Sequence, residues 1–165
     1  MIGTTRVIVG LDGSLSSLAA LYRAVQEAAS REATLVPLTA WTPSPDDGLR
    51  PLSELEHAAR RRIDTAFEQA FGGYPADLVV HPAVVRGEAG PALVSAVATQ
   101  GDLIVLGAAG HGRLRHALHG STSRHCRAHA ACRVVVVSPS DLLHSLEFAA
   151  RNGAPLPLAA AAHVR

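Results

Sequence analysis

The sequence predicts a three-layer α/β/α domain built on a five-stranded, mostly parallel sheet, and three observations predict it. Short apolar runs such as Val7-Ile8-Val9 and Val134-Val135-Val136-Val137 have no alternating polar face, as strands covered by helices on both sides require. Segments with helical apolar spacing alternate with these runs, the pattern of parallel strands joined by right-handed crossovers. Glycines punctuate the strand ends, where ligands sit in such sheets. At 165 residues the chain has room for one domain with a sizeable core and not for a second.

Residues 6–12 read as the first strand. Ser14 or Ser16 can cap the following helix, in which Leu18, Leu21, Val25 and Ala28/Ala29 recur at helical spacing. Residues 33–41 form the second strand, and 42–48 a loop, since Pro43, Pro45 and Gly48 spoil any regular element. A second helix spans 53–71. Ser53 and Glu56 have capping-box spacing, and Leu55, Ala59, Ile63, Ala66, Phe67 and Ala70 make a core stripe that Gly72-Gly73 ends. Residues 77–85 form a third strand that Pro82 bends or places at an edge. A short helix over 91–99 precedes a fourth strand, 102–106, which ends in Gly107. The last unit is a long loop, a helix over about 121–130 and a strand over 133–137. Residues 1–139 are thus the domain and 140–165 an extension. In that extension Ser140 caps a helix over 141–151, Leu142, Leu143, Leu146 and Phe148 offer an apolar face to the domain or a partner, and the Ala/Pro-rich tail frays.

Composition excludes several function classes. The fifteen basic residues, all Arg, nearly cancel fourteen acidic ones, so no concentrated basic face is expected and no nucleic acid partner. Arg60-Arg61-Arg62 fans out in steps of about 100° as a solvated helix face. The apolar runs fall far short of the roughly 18 residues that cross a bilayer, and the start of the chain lacks the basic and apolar regions of a secretory signal. The expectation is a cytoplasmic protein with no membrane partner. Cys126 and Cys132 make neither a disulfide framework nor a zinc-ligand set and read as reduced thiols.

The informative stretch runs from Gly107 to Thr122. Gly107 and Gly110 turn the chain at a strand tip and admit a ligand to main-chain N–H groups. Gly120 precedes a helix whose first N–H groups, with the hydroxyls of Ser121 and Thr122, make an anion site, and Arg113 or Arg115 is placed to close over phosphates. His111 and Gly112 stand beside these glycines. A plain turn-and-cap role for the same residues is the competing reading. The spacing is not the dinucleotide fingerprint, and with no Lys in the chain it is not a Walker A loop. Asp12, at the end of the first strand, either faces a ligand, with indirect contact to Mg2+, or caps the next turn with Ser14. Ser121 reads as a phosphate donor or N-cap, since no nucleophile elbow surrounds it. His125 and His129 stand four apart, but Cys126 is rotated about 100° from His125, so solvent-facing or locally bonded histidines are favoured over a metal site. Trp41 is a rim or core aromatic, or an adenine platform.

The pattern Gly107-x2-Gly110-x9-Gly120-Ser121 resembles the nucleotide-binding signature of the universal stress protein family, UspA-like domains of the ATP-binding kind. Ile8-Val9-Gly10-Leu11-Asp12-Gly13-Ser14, Ala40-Trp41, the 102–107 segment and the ending from Gly120 to Val137 are similar too, so the likeness covers residues 4–139. The resemblance implies strand order 3-2-1-4-5 and a dimer, with ATP between the tips of strands one and four. It places Asp12 near the ribose, with Gly10 and Leu11 lining the approach, the backbone around Ala40 at adenine, Gly107 and Gly110 at the ribose-phosphate, and Gly120, Ser121 and Thr122 at the phosphates. It further implies a stress-response regulatory or interaction role, with an unknown protein partner and at most slow hydrolysis. The alternatives are a nucleotide-free homodimeric scaffold and an adenine-nucleotide-processing enzyme. An edge strand over 133–137 would pair with its copy in a second chain, unless the 142–148 helix covers it.

Overall fold

The computed structural model describes residues 4–108 and 116–153, with 116–120 described by their backbone. The elements are β1 (Arg6–Gly10), α1 (Leu15–Arg31), β2 (Thr34–Trp41), α2 (Leu52–Phe71), β3 (Ala83–Arg86), α3 (Ala89–Ala96), β4 (Leu103–Gly107), α4 (His116–His129), β5 (Arg133–Val137) and α5 (Pro139–Arg151). The strands form one parallel sheet in the order β3-β2-β1-β4-β5. Val7, Ile8 and Val9 face Leu35, Val36 and Pro37 on one side and Leu103, Ile104 and Val105 on the other. The chain leaves β1 toward β2 and returns to β4, so strand order reverses between β1 and β4.

The uninterrupted apolar runs are explained by burial on both faces. Val7, Val9, Leu35, Leu103 and Val105 pack with Leu21 and Ala24 of α1 and Ile63 and Phe67 of α2. Ile8, Leu38, Ile104 and Leu106 point the other way, onto Leu93 of α3 and Cys126 of α4. Each such side chain, fully buried, stabilises the fold by about 1.5–3 kcal/mol. The α2 stripe read from the sequence is the buried set: Leu55, Ala59, Ile63, Ala66, Phe67 and Ala70. Gly72, at φ 71°, ends that helix with its N–H on Glu68 and the Gly73 N–H on Phe67.

Several boundaries differ from the sequence reading for local reasons. β1 stops at Gly10, and residues 42–48 hold one 3-10 turn, Pro45–Asp47, capped by Ser44. The Ser53/Glu56 capping box does not form: α2 starts at Leu52 with Pro51 as N-cap and no side-chain cap. β3 is shorter than 77–85 because Pro82 interrupts it, leaving an isolated bridge between Val80 and Leu35. α3 starts at Ala89 and ends at Ala96, earlier than the 91–99 expectation. α4 starts at His116, so Gly120 lies inside the helix rather than ahead of it. α5 is capped by Ser138, not Ser140, with Asp141 completing the box and Pro139 in the first turn. α5 packs on α1 and brings Leu142 to the core, while Leu143 and Phe148 stay exposed. The tail beyond residue 153 lies outside the described residues.

Candidate functional site

A cleft of about 560 Å³ opens at the carboxyl ends of the strands, over the point where strand order reverses. Hydrogen bonds past the strand ends hold its floor: Leu11 N–H donates to Leu38 (2.9 Å), Gly87 N–H to Trp41 (2.8 Å) and Ala108 N–H to Val137 (2.7 Å). The buried Thr39 hydroxyl donates to the Leu11 carbonyl at 3.0 Å, fixing the chain as it leaves β1.

Asp12 and Gly13 make the first wall. The Asp12 carboxylate accepts the Ser14 N–H at 2.9 Å, and Gly13 sits at φ 83°, a left-handed turn that favours glycine. Ser14 then caps α1 by accepting the Ser17 N–H. Asp12, Ser14 and Ser17 all line the cleft. Asp12 therefore caps the turn, as one of its two readings expected, and also lines the cavity.

Gly107 lines the cleft without turning the chain. It is the last residue of β4, and a Cβ there would lie 2.5 Å from the carbonyl of Ser16. The missing side chain lets the start of α1 close onto β4. Gly10 is tight in a softer way, because a Cβ would meet the Leu106 side chain at 3.0 Å.

The structure brings Gly10, Leu11, Asp12, Ala40, Trp41, Gly107, Ser121 and Thr122 around one cavity. Gly110, His111, Gly112 and Arg113 lie outside the described residues, as does Arg115. Gly120 is placed by its backbone in α4, so the expected anion site at a helix start beside Gly120 is corrected: the helix begins a turn earlier, at His116. Trp41 is half-buried at the rim, with the Arg86 guanidinium 5.9 Å from its ring centre.

Sequence reasoning missed the opposite wall, Gly87 to Pro91 with Leu93, and His125 from α4. Gly87 adopts φ 144°, and Gly90 is buried against the His125 ring, where a Cβ would approach to 3.0 Å. The available signal was the Gly87-x2-Gly90-Pro91 cluster straight after a strand, a position equivalent to Gly107. The His125 ring lies 4.4 Å from that of His129. Among the described residues no group of three or more His, Cys, Asp and Glu side chains is arranged to hold a metal ion.

Electrostatically, the described cleft residues include the carboxylates of Asp12 and Glu88 and no Arg. The starts of α1 and α3 both reach it and present the positive ends of their peptide dipoles. Apolar side chains of Leu38, Ala40, Leu93 and Leu106 alternate with the hydroxyls of Ser14, Ser17, Ser121 and Thr122. This mixture suits a flat ring system carrying a polar, hydrogen-bonding tail.

Burial, and after it nearby Cys132, push the Cys126 thiol up to about 11; its Sγ sits 3.9 Å from the Gly90 carbonyl. It is a core group joining α4 to α3 and not a nucleophile. Cys132 is half-buried, and both cysteines are free thiols. Among the described residues no helix is long and apolar enough to cross a membrane.

The universal stress protein family model matches residues 3–138. Universal stress protein Rv2624c of Mycobacterium tuberculosis is 35% identical over 135 residues, covering 79% of this chain and 47% of that protein. The chain spans about half the length of the curated relatives it matches. Among solved structures, a universal stress protein in complex with cAMP is 30% identical with a TM-score of 0.54, covering 82% of this chain and 97% of that one. Universal stress protein UspA from Lactobacillus plantarum is 24% identical with a TM-score of 0.59, covering 81% and 97%, a likeness of fold.

Proposed function

Given that the chain belongs to the universal stress protein family, we propose that it is an adenine-nucleotide-binding regulatory or interaction domain that takes ATP, with at most slow hydrolysis. The observation that carries this reading is the cleft itself. Residues separated by more than a hundred positions, from Gly10 to Thr122, converge on one cavity at the switch point of the sheet. Its volume suits a nucleotide-sized ligand, since such pockets run to about 300–1,000 Å³. The 30% identical relative solved with cAMP supports the ligand class.

In this reading the adenine enters between the Ala40 and Trp41 end of β2 and the Gly87 to Pro91 wall. Apolar contact there, with Leu38 and Leu93, contributes affinity. The ribose lies over Gly10 and Gly107 beside Asp12. The phosphates extend toward Ser121 and Thr122, with Arg113 and the glycines from Gly110 to Gly120 closing around them. Asp12 fits a divalent ion through a phosphate-bound, hydrated Mg2+, because among the described residues it belongs to no group of three or more His, Cys, Asp and Glu side chains that could hold the ion directly.

The oligomer proposed is a cytoplasmic homodimer. β5 is the end strand of the sheet, and α5, the candidate internal cover, packs on α1. Pairing of Arg133–Val137 with its copy would satisfy the open edge.

Isothermal titration with ATP, AMP and cAMP, together with native mass spectrometry of the protein as purified, tests the ligand. Micromolar-range binding to at least one of them, or a co-purifying adenine nucleotide, is expected. No heat with any of the three and no bound nucleotide would remove the reading.

A further inference from the structure

Resting on that reading, we infer that His125 is the titratable ligand contact of the cleft: its imidazolium is the described cation that meets the anionic part of a bound adenine nucleotide. The described cleft residues include two carboxylates, Asp12 and Glu88, and no Arg, so His125 is the one described lining side chain able to become positive.

Its placement is built rather than incidental. The ring rests on the bare backbone of buried Gly90, where a Cβ would press to 3.0–3.1 Å from the His125 Cβ, Cγ and Cδ2. His129, one turn further along α4, packs beside it at 4.4 Å between ring centres. Among the described residues no hydrogen bond or ion pair engages the imidazole, yet the side chain is half-buried and lines the cavity with Ser121 and Thr122, one turn away on the same helix face. A half-buried imidazole with unused ring nitrogens, aimed into a ligand-sized cleft, has its polar partner in the ligand.

The charged and titratable groups around it are few. On α4 they are His129 and the exposed Arg124 and Arg127; at the start of α3 comes Glu88, its N-cap; from the turn after β1 comes Asp12; and Arg86 of β3 stands over Trp41. Imidazole is the side-chain type that changes charge near neutral pH. Binding of an anion against it must therefore take up a proton, and affinity must rise as pH falls.

The test is isothermal titration with cAMP, a phosphodiester whose own charge is constant over the range used, with neutral adenosine as its control. Between about pH 8 and pH 6 the Kd of the natural chain for cAMP should fall about three- to tenfold, while adenosine changes far less. His125→Gln should abolish that dependence, His125→Lys should bind tightly at both pH values, and His129→Gln should retain it. Nuclear magnetic resonance of the imidazole should show cAMP raising its titration midpoint. An unchanged pH slope in folded His125→Gln, or an equal slope for adenosine, overturns the assignment while leaving nucleotide binding intact. Failure of the natural chain to bind cAMP, AMP or ATP at either pH removes the nucleotide reading and this inference together.

Discussion

Asp102 and Asp12 stand at opposite ends of the central strands and use the same carboxylate differently. Asp102, just before β4, is 2% exposed. It accepts N–H groups from Arg6, Ala98 and Thr99 and the Thr99 hydroxyl, all between 2.7 and 3.0 Å. Asp12, just after β1, is exposed and shapes one turn through Ser14 while facing the cleft. The amino end of the sheet is closed by satisfied polar groups, whereas the carboxyl end leaves polar groups facing a cavity. In the proposed reading, stability is thus placed at one end and ligand recognition at the other.

The hardest way to break this contrast is Asp102→Ala, which would take the buried acceptor away from three part-buried N–H groups at once. A loss of about 3–4 kcal/mol is expected by urea denaturation, with nucleotide affinity unchanged in the protein that remains folded. The acid limb carries the same signature. Burial alone would raise the Asp102 carboxyl, but hydrogen bonds from Thr99, Ala98 and Arg6 outweigh it and hold the group below the usual carboxylate range. A depressed folded-state value means its contribution is complete above the unfolded value of about 3.9 and is lost as pH falls through the folded one. Asp102→Asn should therefore flatten the fall in stability at acid pH.

Glycine substitutions at the other end should separate packing from recognition. Gly107→Ala forces a Cβ to 2.5 Å from Ser16 backbone, and about 2–3 kcal/mol of destabilisation is expected, at the upper end for overpacking. Gly10→Ala meets only the Leu106 side chain at 3.0 Å, so about 1 kcal/mol is expected, with a measurable loss of nucleotide affinity as the cleft narrows. Equal costs at the two positions would show that α1 can retreat from β4. Gly120→Ala runs the other way. Inside α4 an alanine should stabilise by about 0.5–1 kcal/mol, and a simultaneous loss of ATP binding would mark the bare backbone there as part of the phosphate site.

The amino-acid pattern revealed the layers better than the walls of the cleft. The α2 stripe and β5 were legible because period and β-branched runs report burial directly. Capping was half legible. Ser53 and Glu56 had the spacing, yet Pro51 occupies the cap, while Ser44-Pro45-Asp46-Asp47 and Ser138-Pro139-Ser140-Asp141 formed the boxes with Asp in place of Glu. Of the residues that line the cleft, Asp12, Trp41, Gly107, Ser121 and Thr122 were legible as strand-end positions or parts of a spaced glycine motif, and Gly10, Leu11 and Ala40 only through the family resemblance. His125 and Gly90 escaped because their pairing is a tertiary contact across α3 and α4 that no local spacing encodes.

The gentlest test of the two carboxylates is Asp12→Asn. The amide oxygen can still accept the Ser14 N–H, so the turn at Gly13 and the cap of α1 survive, and stability should stay within about 0.5 kcal/mol of the natural chain. What changes is one negative charge at the cleft. If Asp12 serves the ligand through hydrated Mg2+, the variant should lose the Mg2+ dependence of ATP binding in isothermal titration while binding adenosine as before. If Asp12 serves only the turn, ATP binding with Mg2+ should match the natural chain, and the carboxyl end of the sheet would then use this group for shape, as the amino end uses Asp102.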